Sequence, residues 1–77
     1  MDYEKKRLLS SVNNGETVKV VDINAGRGLA VRLAAMGLGT DTEITVIKSN
    51  NPGPFIINVK GARVMLGRGV AQKITVE

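Results

Sequence analysis

Leu29, Leu33 and Met36 recur at i, i+4 and i+7, and this is the one stretch of the chain with a convincing helical period. Ala30, Ala34 and Ala35 fill the intervening positions with strong helix formers. Gly37 follows where a helix commonly closes in the left-handed conformation, and Leu38 can fold back over the last turn. The spacing predicts a helix over about residues 27–36. A helix of so few turns does not persist alone in water, so it must be held by packing against something else. Leu29 and Met36 are therefore expected in the core, and the helix is expected to plug one end of a sheet.

The rest of the chain supplies that sheet. "ETVKVVDI" at 16–23 is dense in β-branched residues; Val18 and Val20 share one side, Val21 and Ile23 the other. "EITVIK" at 43–48 alternates, with Ile44 and Val46 directed inward. "SNNPGP" at 49–54 is a turn signal holding both prolines. "FIINVK" then places Phe55, Ile57 and Val59 on one face, and Gly61 supports a tight hairpin into "ARVML". In that strand Ala62, Val64 and Leu66 are expected inward. "GRGVAQ" reads as a single helical turn, and "KITVE" closes the chain with Ile74 and Val76 inward. Five short antiparallel strands must close, or nearly close, to bury one face, which gives a mainly β fold: a small barrel with one short inserted helix.

Seventy-seven residues make a single domain, and one that buries only about 60 % of its unfolded surface. The chain has no Cys, so no disulfide can reinforce it, and no His. The same two absences exclude Cys–His and Ser–His nucleophile pairs. Carboxylates are dispersed, with only Asp41 and Glu43 close together, and neither "GRG" is a phosphate loop. No enzyme is expected. The net charge of +4 permits an anionic partner, yet the positive charges are scattered and "KKR" at 5–7 reads as solvated chain. Residues 1–7 are accordingly expected to form a mobile N-terminal segment, with the folded domain at 8–77. There is no apolar run of signal-peptide or membrane-spanning length, so a soluble cytoplasmic setting without membrane insertion is expected.

"RLAAMGLGTDTEITVI" followed by "NPGPFIINVKGARVMLGRGVAQKITV" resembles the FeoA family, the small cytoplasmic companions of the bacterial ferrous-iron transporter. The points of likeness are Arg32-Leu33, Met36-Gly37-Leu38, the Gly53-Pro54 turn, the hairpin at Gly61, and the ending Leu66, Ala71, Ile74 and Val76. The likeness covers roughly residues 8–77. Asp41 stands where the family usually has glycine before a strand; Asp tolerates left-handed geometry better than most residues. Gly67 replaces a usually polar residue. The resemblance implies an SH3-like barrel and an accessory or regulatory role in ferrous-iron uptake, through binding to the transporter's cytoplasmic part. It does not separate a stand-alone companion from the similar regulatory domain of iron-dependent repressors.

The residues expected to face a partner are Arg27, Arg32, Asn50, Asn51 and Phe55. Arg32 has a competing structural role, in which its stem packs on the barrel and its guanidinium caps carbonyls or pairs with a carboxylate. A small basic barrel can also bind nucleic acid. With Tyr3 and Phe55 as its only aromatics, the chain lacks the stacking platforms of single-strand readers, so nucleic acid is not the expected partner. Weak self-association is left open. Fe(II) is the cargo implied by the resemblance. No intrinsic cofactor or tight iron site is expected, because imidazole and thiolate are absent and carboxylates are spread along a cationic chain.

Overall fold

The computed structural model describes residues 6–49 and 53–77. Its strands are β1 (Arg7–Leu8), β2 (Thr17–Ile23), β3 (Glu43–Ser49), β4 (Phe55–Val59), β5 (Ala62–Leu66) and β6 (Ile74–Val76). The helices are α1 (Arg27–Ala35) and the single turn α2 (Arg68–Ala71), and a 3₁₀ turn spans Leu9–Ser11.

β2 organises the sheet. Its first half pairs with β3, Val18 opposite Ile44. A bulge between Val20 and Asp22 then shifts the register, and the second half pairs with β6, Ile23 opposite Ile74. A bulge bends and twists a strand, which lets one strand serve two halves of a curved sheet. β3, β4 and β5 form a meander, with a second bulge between Val46 and Lys48. At the β4–β5 turn Lys60 and Gly61 both take positive φ, 52° and 85°. Two consecutive positive φ values match the twist of a two-residue hairpin. Asp41 also adopts positive φ, 68°, in the turn before β3.

The alternation read from the sequence is the alternation of the core. Val18, Val20, Ile44, Val46, Ile57, Val59, Ile74 and Val76 are buried, together with Leu33 and Leu38 from the helical segment. No polar or charged residue is buried among those described. The end of α1 is closed as expected: the Gly37 N–H donates to the Ala34 carbonyl (3.0 Å) and the Leu38 N–H to the Leu33 carbonyl (2.8 Å). This pairing tucks Leu38 under the last turn beside Leu33.

Four expectations are corrected. There are six strands instead of five, in the order β1-β6-β2-β3-β4-β5, so hydrogen bonding leaves β1 and β5 as edges. α2 follows β5 directly and packs on the 3₁₀ turn after β1, so the barrel is completed by packing in place of strand pairing. Arg7, expected in the mobile segment, pairs with Val76 in β1; residues 1–5 lie outside the described residues. Ala62 shares the face of its partner Val59 but stays exposed at the hairpin tip. Met36 is 40 % exposed. It occupies the C-cap (φ −86°, ψ 1°), where the chain has already left the helical path, so the i+7 spacing no longer carries it inward.

Candidate functional site

Among the described residues two surface concavities stand out. The larger, about 440 Å³, is a polar depression lined by Asp41, Thr42, Glu43, Thr45, Asn58 and Lys60. Its two carboxylates share it with a lysine, and no group of three or more His, Cys, Asp or Glu side chains suited to a metal occurs among the described residues. Hydroxyl, amide and charged groups of this kind are content in water.

The smaller concavity is different in kind. It is a groove of about 140 Å³ between α1, the end of β5 and α2. Leu33 and Leu66 form its buried floor, Leu29 and Val70 its half-buried walls, and Met36 and Met65 its exposed rim. Among the described residues Arg32 is the only charged one lining it. The helix brings Leu29, Leu33 and Arg32 to one side because residues three and four apart are neighbours on its surface. β5 contributes Leu66 inward and Met65 outward, since successive strand residues point to opposite faces. Met65 is 66 % exposed, an apolar side chain held largely in water. Exposed apolar surface beside a preformed depression makes the groove, in preference to the larger polar depression, the candidate site.

The expected site residues do not converge. Arg32 lines the groove. The structural role set against this is corrected: Arg32 is exposed, and among the described residues its guanidinium caps no carbonyl and meets no carboxylate. Arg27 is exposed at the first position of α1 and is not part of the groove lining. Asn50 and Asn51 lie outside the described residues. Phe55 is corrected outright. It is 0 % exposed, and the Arg68 guanidinium lies over its ring, 5.5 Å from the centroid. A side chain so placed cannot touch a partner; its contribution is indirect, through its cross-strand neighbour Leu66 in the groove floor.

Met36 and Met65 are the groove residues that sequence reasoning did not assign to a surface. A signal existed for Met65, because the inward set Ala62, Val64 and Leu66 necessarily turns it outward. For Met36 there was none short of knowing where the helix stops.

The sequence profile of the FeoA domain matches residues 7–77. A protein of Methanocaldococcus jannaschii, provisionally named Fe(2+) transport protein A, is 44 % identical over 69 residues, covering 90 % of this chain and 83 % of its own. The crystal structure of an iron uptake regulatory protein (FeoA) superposes with a TM-score of 0.85 at 35 % identity, covering 94 % of this chain and 95 % of that one. A manganese-dependent transcriptional repressor gives a TM-score of 0.83 at 27 % identity over 94 % of this chain, which spans 41 % of the repressor.

Proposed function

The chain belongs to the FeoA family, and from that premise we propose that it is a non-catalytic regulatory accessory of ferrous-iron transport. It works in the cytoplasm by binding the cytoplasmic part of the membrane iron transporter. The observation that carries this reading is the groove of α1, β5 and α2, which holds apolar side chains and one arginine in water. The absence of Cys and His supports the non-catalytic half, because the common nucleophile–base pairs cannot be built. No helix of the described residues is long and apolar enough to cross a membrane, which agrees with a protein that acts on a transporter from outside the bilayer. Fe(II) passes through the system as cargo, and the chain holds none of it tightly.

The test has two arms. The tagged chain is mixed with the separately expressed cytoplasmic region of the transporter, and co-purification at physiological salt is the expected result. Failure to co-purify, with both partners folded, overturns the partner assignment. Anaerobic calorimetry with ferrous salt is expected to give a flat trace; saturable one-to-one binding would refute the cargo-only reading of iron.

The likeness to a domain within a manganese-dependent repressor supports a second reading, in which the same surface serves a regulatory domain. That reading predicts binding to a segment of a repressor chain and none to the transporter.

A further inference from the structure

The groove is too small for a nucleotide or an ordinary small-molecule ligand. Such sites run to about 300–1,000 Å³, and a cavity of about 150 Å³ accommodates a group the size of benzene. At about 140 Å³ it has room for one side chain. Its floor and walls are aliphatic, and the two methionines at its rim are unbranched and polarisable, able to adjust around an aliphatic guest.

Arg32 decides what must accompany that guest. It is the only charged group of the lining and meets no carboxylate among the described residues. A purely apolar segment laid over the groove would strip water from a guanidinium and leave its charge without a counterpart, which is strongly unfavourable. A carboxylate beside the apolar residue removes that cost, and the planar fork of arginine pairs with it through two parallel hydrogen bonds. The net charge of +4 acts in the same direction at longer range, favouring acidic segments and disfavouring a second copy of this basic chain.

We propose that the groove captures a short segment of a partner protein in which one Leu, Ile or Met side chain fills the depression and an adjacent Asp or Glu pairs with Arg32. The proposal rests on the reading that the chain works through a protein partner, and it specifies the chemistry of the segment recognised.

A peptide array tests it on the full chain. Each member carries a central Leu, Ile, Met or Ser, flanked by Asp, Glu, Gln or Lys in all combinations. Binding is expected to concentrate in members with an aliphatic centre and an acidic flank. Roughly a tenfold loss is expected when that flank becomes Gln, as befits a charge-assisted pair. Arg32→Glu should transfer the preference to Lys-flanked members, a gain that a merely destabilised protein cannot show. Met65→Ser should weaken all aliphatic members while the melting temperature stays near that of the parent. An array without acidic preference, or a preference unmoved by Arg32→Glu, overturns the proposal. So does sedimentation showing that the parent self-associates and that Met65→Ser abolishes it, since the occupant would then be a second copy. A blank array with the transporter region still co-purifying removes this inference alone; an acidic, aliphatic motif without co-purification removes the transporter assignment alone.

Discussion

Among the described residues, Glu16 is the one whose surroundings alter its chemistry most visibly. Its carboxylate accepts a hydrogen bond from the Arg7 guanidinium and another from the Asn13 backbone N–H at 2.9 Å. These two interactions, the arginine foremost, hold its pKa below the ordinary glutamate value of 4.5, against the opposing effect of desolvation. A carboxyl group with a depressed pKa in the folded state stabilises fully above its unfolded value. That contribution disappears as pH falls through the folded value. Glu16→Gln should therefore lower the melting temperature at neutral pH, and the gap should close in acid, once the parent's Glu16 is protonated. A gap of constant size across that range would refute the argument. The pair is also where the sequence was least legible. Arg7 belongs to a basic run that resembles solvated chain, and a strand of two residues has no periodicity to betray it. Asp41 was the opposite case: its tolerance of left-handed geometry was readable, and its φ of 68° uses it.

At the scale of the element, α1 is unequal at its two ends. Gly26 occupies the N-cap without a side-chain hydrogen bond, the first turn holds no acidic residue, and Arg27 sets a positive charge against the positive end of the helix dipole. The C-terminal end has Arg32 in its last turn and the Gly37 closure beyond it. Two glycine substitutions should consequently act with opposite sign. Gly28 lies in the first turn of the helix and an added Cβ would meet nothing within 4 Å beyond its chain neighbours and the helix's own backbone, so Gly28→Ala should raise stability by about 0.5–1 kcal/mol. Gly37 sits at φ +92° with an added Cβ 3.4 Å from Val59 Cγ1, so Gly37→Ala should cost about 1–2 kcal/mol. Urea denaturation of the two variants measures both, and shifts of the same sign would sink the account. The helix itself was legible because Leu29 and Leu33 obey its period. The groove beside it was legible only in Arg32, since Met65 and Val70 come from other elements and meet α1 only after folding.

For the whole molecule, periodicity predicted which residues are buried with few exceptions, because alternation along a strand is local information. Strand order is not local, and neither the open edges nor the seat of β6 between β1 and β2 could be read from spacing. That seat has a consequence for how the protein is made. β6, the last strand in the chain, lies in the interior of the sheet, with Val76 opposite both Arg7 and Val20. A ribosome delivers those partners before the strand that joins them. Ile74 and Val76 are fully buried in the core, so until they emerge the core lacks both side chains and the edge of β2 that pairs with β6 stays open. Folding of the nascent domain should therefore wait until β6 has emerged from the ribosome, without stepwise growth from β1 onward. Chains stalled with residue 72 just outside the ribosome should be cleaved readily by protease, and chains extended by a linker that frees residue 77 should resist it. Equal resistance at both lengths would mean that the first five strands hold together without the sixth.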